Sequence, residues 1–226
     1  GLLKTMRQRP RASGFVLGVA LSALYLGARF PSLAALSEAV DHTPELMHDF
    51  WMYFYRTGLS LREGAGPVGG FLYPPLFGIL MVPVSLLSVP SAKLLWGILE
   101  AVATLLLAGL AARFAPVRVP WVALSVMGTL VSVPALHNFK WGQMGVPLAL
   151  MAVVAGEWVT WRRGVAVALV SFATAIKLYP AAAFALFLRR RDVRSLFGGA
   201  ALTGFFLVGA PALVLAKAEF RGEKRV

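Results

Sequence analysis

Cysteine is absent from the chain, and charge is scarce: Asp and Glu together number 10, and charged residues make up 14% of the 226 positions against 58% hydrophobic. The first absence excludes a small secreted domain stapled by disulfides. The second excludes a soluble globular domain, whose apolar share lies nearer about a half and whose charged share lies nearer about a quarter. It also excludes a disordered chain, which has low hydrophobicity and abundant charge. No inverted internal repeat is visible, which weighs against a transporter. What remains is a membrane protein. The net charge of +12 would point to nucleic acid in a soluble chain, but a bilayer protein concentrates Lys and Arg in its cytoplasmic loops. No nucleic-acid partner is expected.

Lys4, Arg7, Arg9 and Arg11 precede the first apolar run. That run is too long for a cleavable signal and has no small-residue exit, so it reads as an anchor. Charge-poor windows of about 20 residues, the length that spans a hydrocarbon core of roughly 30 Å, fall at 14–36, 71–88, 94–112, 119–136, 144–161, 164–188 and 195–216. The expected fold is therefore all-α and polytopic, with about seven hydrophobic segments in a single transmembrane domain over 1–226. The stretch 37–70 is the chemical outlier, because Glu38, Asp41, Glu45, Asp49 and Glu63 are half of the 10 acidic residues. The basic N-terminus places that end in the cytoplasm and the acidic loop outside. Seven full crossings would then leave Arg162 and Arg163 inside but Arg189, Arg190, Arg191 and Arg194 outside. A re-entrant segment at 164–188, broken near Lys177 and Pro180, removes the conflict. As one helix it would reach about 37 Å, whereas two half-helices of about 18 Å each go in and come back on one side. Such breaks are tolerated where they are buried in protein or line a wet cavity. The polar run His137-Asn138-Phe139-Lys140-Trp141-Gly142-Gln143 is a second interruption of the same kind.

Asp49 sits among aromatics in His48-Asp49-Phe50-Trp51-Met52-Tyr53-Phe54-Tyr55. It reads either as the solvated end of an interfacial helix whose Trp and Tyr rest at headgroup level, or as a carboxylate held at the outer surface as a general base. Asp41 and Glu45 share its loop. A metal site of His42 and His48 with Asp41 and Asp49 is disfavoured, since six residues turn a helix through about 600° and leave the two imidazoles apart in azimuth. No metal and no cofactor is expected. Lys177 is central in its apolar segment, too far from the ends to snorkel. It calls for an anion, and phosphate suits an ammonium. Glu100 also interrupts an apolar span and is expected to pair with a cation of another helix. Pro74 and Pro75 open a span at the first turn, where a missing N–H is least harmful.

An acidic outward loop with Asp49-Phe50 and following tyrosines, then Gly64, Tyr73-Pro74-Pro75, Gly142-Gln143, Lys177-Leu178-Tyr179-Pro180 and the Arg189 to Arg194 cluster, taken in that order, resembles glycosyltransferase family 87. The resemblance implies a polytopic enzyme of the GT-C superfold, with a juxtamembrane helix in its first outward loop. Such an enzyme moves a sugar, typically mannose, from a polyprenyl phosphate to an outward-facing acceptor with inversion. It implies Asp49 as the general base and Lys177, joined by Lys140 and Arg56, as the holders of the donor phosphate. Tyr53, Tyr73, Gln143 and Tyr179 would line the cavity. It also implies a bacterial inner membrane with the N-terminus cytoplasmic. Members of the family are longer, with further spans beyond the arginine cluster. The second reading is therefore a shortened, non-catalytic transferase-like subunit that packs against membrane-protein partners.

Overall fold

The computed structural model describes residues 9–41 and 45–213. Lys4, Arg7, His42 and the end of the last expected span, 214–216, lie outside the described residues, as do the side chains of Ser37 and Asp41. Among the described residues the chain is helical, with no strand. The helices are α1 (Pro10–Arg29), α2 (Leu33–Asp41), α3 (Arg56–Arg62), α4 (Pro75–Met81), α5 (Val89–Phe114), α6 (Val119–Leu130), α7 (Val133–Trp141), α8 (Gly145–Trp158), α9 (Arg163–Ile176), α10 (Ala185–Arg189) and α11 (Val193–Gly204). A π-helical turn occupies Phe50–Tyr55, and a 3-10 stretch occupies Tyr179–Phe184.

Each of the seven expected hydrophobic segments carries helix. Four are long and apolar enough to cross a membrane: Pro10–Arg29, Val89–Phe114, Val119–Trp141 and Val193–Leu213. The other three are shorter apolar helices, at Pro75–Leu86, Gly145–Trp158 and Arg163–Ile176. Helix α5 shows the lipid-facing character plainly. Leu94, Leu95, Ile98, Leu99, Val102, Leu105 and Leu106 are all exposed on it, an apolar surface that suits hydrocarbon and not water.

The chain forms two compact units, one of 1–51 and 93–150 and the other of 52–92 and 151–226. In the first, α1 and α6 pack through a stripe of small residues. Gly14, Gly18 and Ser22 are the buried positions of α1, four apart and hence on one face. A Cβ at Gly14 would stand 2.6 Å from Val122 Cβ, and one at Gly18 would stand 2.7 Å from Val126 Cβ and from the Ala123 carbonyl oxygen. Close backbone approach of this kind supplies helix association where lipid removes the hydrophobic drive. Ala108, Ala112, Ala115, Val122 and Val126 fill the space beside it, with Phe15, Val19 and Leu130 against them.

In the second unit, the break expected within 164–188 is present. Helix α9 stops at Ile176, and Lys177 is extended (φ −151°, ψ 135°). After the 3-10 stretch the chain doubles back, so that Phe187 of α10 joins Ala166 and Val170 of α9, with Ala155 and Val159, in one buried cluster. The two ends of the hairpin meet: Arg163 Nε lies 3.1 Å from Asp192 Oδ2. Asp192 then caps α11, accepting from Ser195 N at 3.2 Å. Arg163 and Asp192, which flank the hairpin, therefore share one end of it, as the re-entrant expectation requires. Helix α11 lies against α9, where Ser171 Oγ donates to the Gly199 carbonyl at 3.0 Å.

The packing predicts a contrast between two glycines of α1. Gly18→Ala should destabilise the protein by about 1–3 kcal/mol through overpacking. Gly27→Ala, where a Cβ meets nothing within 4 Å, should be neutral or gain up to about 1 kcal/mol of helix stability. Thermal or denaturant unfolding in detergent, followed by far-UV circular dichroism, measures both, and equal effects would contradict the small-residue contact.

Candidate functional site

The Gly-Gln element is a helix terminus. Ser132 caps α7, its Oγ accepting from Ala135 N at 3.3 Å, and a proline follows in the first turn. At the other end Gly142 turns left-handed (φ 68°), Gly142 N donates to the Phe139 carbonyl at 3.3 Å and Gln143 N to the Asn138 carbonyl at 3.0 Å. This is the Schellman pattern, and it favours glycine because no Cβ opposes a positive φ. Glycine is doubly needed here, since a Cβ would stand 2.7 Å from Phe50 Cβ. The Gly142 carbonyl accepts from Trp96 Nε1 at 2.9 Å.

That terminus holds the end of the acidic loop. Met47 N donates to the Lys140 carbonyl at 2.6 Å, and the Lys140 ammonium donates to the Glu45 carbonyl. Lys140 is 1% exposed, with its ammonium 5.6 Å from the Trp141 ring centre. Lys93 Nζ donates to the Leu46 carbonyl at 3.2 Å and sits 5.6 Å from the Trp51 ring centre. Between these anchors Met47 adopts φ 59°, a left-handed conformation that a non-glycine residue holds only where its surroundings enforce it. The consequence is the placement of Asp49: Gln143 Nε2 donates to Asp49 Oδ2, and the next residue, Phe50, is fully buried and stacked on Trp96 at 4.7 Å. A carboxylate fixed by one amide donor, half-buried at the end of a strained loop, can accept a proton from a hydroxyl brought to its other oxygen. The π-helical turn that begins at Phe50 is of a type frequent at functional positions.

Glu45 closes the loop on itself. Its Oε2 lies 3.0 Å from His48 Nδ1, and its Oε1 accepts from Trp51 Nε1 at 2.5 Å. The hydrogen bond from His48, then that from Trp51, holds this carboxyl below its ordinary value of 4.5.

The second unit builds a different feature. Tyr73, Lys177 and Tyr179 gather in a cavity of about 590 Å³, together with Phe71, Leu72, Pro74 and Leu178. Lys177 Nζ donates to Tyr73 Oη at 3.4 Å and lies 5.2 Å from the Tyr73 ring centre and 5.8 Å from that of Tyr179. Tyr73 is held in turn against Phe54 and Phe77, with ring centres 4.8 and 4.7 Å away. The helix break at Lys177 therefore points an ammonium into an aromatic-walled space, a setting for an anion attached to an apolar body.

Of the residues singled out in the sequence, Tyr73, Tyr179 and Lys177 are brought together, and Gln143 is joined to Asp49. Lys140 is occupied in pinning the loop. Arg56 opens α3, exposed, with its guanidinium 3.2 Å from Met52 Sδ, and is not among the residues lining the Lys177 cavity. Tyr53 lies over Gly70, where a Cβ would come within 2.8 Å of its ring, and is likewise outside that lining. Glu100 is buried in α5, and its partner is the amide of Asn138, whose Nδ2 donates to Glu100 Oε2; the cation expected for it is replaced by a neutral donor. The sequence does not single out Trp96, and it marks Asn138 only as part of the polar run 137–143, because an indole or an amide in a helix carries no more specific signal until its partner is known.

A family model for glycosyltransferase family 87 matches residues 71–222, a range that includes Tyr73, Gln143 and Lys177 and leaves Asp49 outside. No curated protein and no solved structure matches the chain.

The Glu45 contacts predict an acid transition. Because this carboxyl titrates below 4.5 in the folded protein, its stabilising effect is complete above its unfolded value and is lost as pH falls through the folded one. Tryptophan fluorescence should report release of Trp51 with a midpoint below pH 4.5, and the transition should vanish in Glu45→Gln. A transition that persists in the variant would assign it to another group.

Proposed function

The chain belongs to glycosyltransferase family 87, and we propose that it transfers a sugar, mannose by the family resemblance, from a polyprenyl phosphate to an acceptor hydroxyl on the outer side of a bacterial inner membrane. The N-terminus is cytoplasmic in this reading, which follows from the basic residues ahead of the first span. The observation that carries the donor assignment is Lys177, an ammonium at a helix break inside a membrane protein, facing a cavity walled by Tyr73 and Tyr179. An ammonium there offsets the charge of a lipid-linked phosphate, and the tyrosine rings offer apolar and hydrogen-bonding surface to a sugar or to the first isoprene units.

In the reaction the acceptor oxygen attacks the anomeric carbon from the face opposite the phosphate. The new C–O bond forms as the bond from C1 to the phosphate oxygen breaks, polyprenyl phosphate leaves with the bonding pair, and configuration inverts. Asp49 takes the acceptor proton. Its hold by Gln143 supports that part, because a base must be oriented before the hydroxyl arrives. Lys177 balances the second negative charge that gathers on the departing phosphate. Lys140 is given no phosphate in this scheme, since its ammonium is buried on the Glu45 carbonyl.

The test is turnover of polyprenyl-phosphate mannose by the purified full chain. Asp49→Ala and Asp49→Asn should each lower kcat by about 10²–10⁴, the range of a positioned general base, with the protein folded and inserted. Lys177→Ala should raise donor KM by about 10- to 100-fold, the worth of a charge-assisted contact, and Lys177→Arg should recover part of it. Full turnover by the Asp49 variants would remove the base. Absence of both donor binding and turnover in the unmodified chain would favour a non-catalytic subunit, whereas tight donor binding by the isolated chain would speak against one.

A further inference from the structure

We infer that Glu100 and Asn138 are positioning residues for the base: a buried carboxyl–amide pair that fixes the turn carrying Gln143 and, through Gln143, the orientation of Asp49. The inference rests on the reading of Asp49 as the base.

Asn138 uses three polar groups on three different elements. Its Nδ2 donates to Glu100 Oε2 on α5, its Oδ1 accepts from Val146 N at 3.0 Å in the first turn of α8, and its carbonyl accepts from Gln143 N at 3.0 Å. The residues it grips, 143 and 146, bracket the turn from which the Gln143 side chain reaches Asp49. Gly145 fits under the same amide, where a Cβ would stand 2.8 Å from Asn138 Oδ1.

Helix α5 supplies a second hold one turn earlier. Trp96 and Glu100 are four residues apart and so share a face. Trp96 donates to the Gly142 carbonyl and stacks on Phe50, the neighbour of Asp49. One helix face therefore grips the turn at Asn138 and at Gly142, both just ahead of Gln143, the residue that touches the Asp49 carboxylate.

Packing alone does not explain the pair. Glu100 is 1% exposed and Asn138 5%, and Glu100 Oε1 has no hydrogen-bond partner among the described residues. A carboxyl in a membrane-spanning helix is expensive, and apolar side chains of similar volume would fill the space at least as stably. Apolar packing is not directional, however, and leaves an amide free to rotate. What the polar pair adds is a fixed orientation of the Asn138 amide and hence of the turn.

The test uses the full chain in nanodiscs, with release of polyprenyl phosphate from polyprenyl-phosphate mannose as the activity and a membrane lipid extract supplying acceptors. Asn138→Ala should lower kcat about 10- to 100-fold, the loss expected when a catalytic group is misplaced, with donor KM within about twofold of the unmodified chain. In a Gln143→Ala background the same substitution should cause little further loss, because both act through one contact. The reciprocal exchange Glu100→Gln with Asn138→Asp keeps a donor and an acceptor in place and leaves Val146 N its acceptor. It should recover most of the activity that Asn138→Asp alone destroys by setting two carboxyls face to face. Hydrogen exchange at 142–147 reads the turn without reference to catalysis and should quicken in Asn138→Ala.

Unchanged exchange in that variant, losses that multiply with Gln143→Ala, or an exchange double variant no better than the single one would each overturn the inference. An active Asp49→Ala would instead overturn the reading on which it rests. Quickened exchange with unchanged kcat, where Asp49→Ala is inactive, would leave the pair a purely structural one and also refute the proposal.

Discussion

Backbone that leaves the helical hydrogen-bonding ladder inside a membrane must find other partners for its N–H and C=O groups, because lipid offers none. That constraint governs where this chain can place chemistry. It breaks helix at the end of α7 and at the end of α9, and each break is closed internally. At the first, Gly142 and Gln143 turn their amides back onto Phe139 and Asn138, and Trp96 takes the Gly142 carbonyl. At the second, Lys177 N still reaches the Ala173 carbonyl, and the 3-10 stretch begins with Ala181 N on the Leu178 carbonyl at 3.0 Å. At these two places the Gln143 side chain touches the Asp49 carboxylate and the Lys177 side chain faces a cavity. The side chains given roles in the proposed function thus lie where the backbone has already been satisfied by neighbours, one break in each compact unit.

The acidic loop shows the same economy in another form. Its end between Glu45 and Phe50 has little regular structure, so it is held by side chains: Lys140 and Lys93 each spend an ammonium on a loop carbonyl. Lys140, which the sequence offers for the donor phosphate, and Lys93 are thus both donors to neutral backbone oxygens, an interaction strengthened where the donor is buried. The strain at Met47 is the counterpart. A left-handed non-glycine residue persists because its amide is tied to the Lys140 carbonyl and its side chain is buried, and the rigidity so obtained falls on Asp49 two residues later.

Small residues carry the remaining architecture. In α1 the four-residue spacing of Gly14, Gly18 and Ser22 lets α6 approach its backbone. Beside the hairpin, Gly199 of α11 admits the Phe184 ring, which would stand 2.3 Å from a Cβ there. Shape, and not apolar character, distinguishes buried from lipid-facing positions when both are greasy, so addition of a methyl group at these glycines is what the packing cannot absorb.

Much of this was legible without coordinates. Hydrophobicity and low charge settle the membrane class, and the seven apolar windows fall on helices because span length is set by bilayer thickness. Lys177 with Pro180 marks a break, and the arginines at 189–194 require it to double back, because charge asymmetry and helix rise are properties of the chain itself. The sequence also singles out Asp49, Gln143, Tyr73 and Lys177. Only tertiary structure decides what each touches. Lys140 and Lys177 look alike as cations in apolar surroundings, yet one is consumed by a carbonyl and the other faces a cavity. Glu100 asks for a cation and receives an amide, and Gln143 reaches a carboxylate 94 residues away in the chain. Local pattern fixes propensity and periodicity, whereas a hydrogen bond between distant residues depends on how helices are set side by side, and no window of sequence contains that.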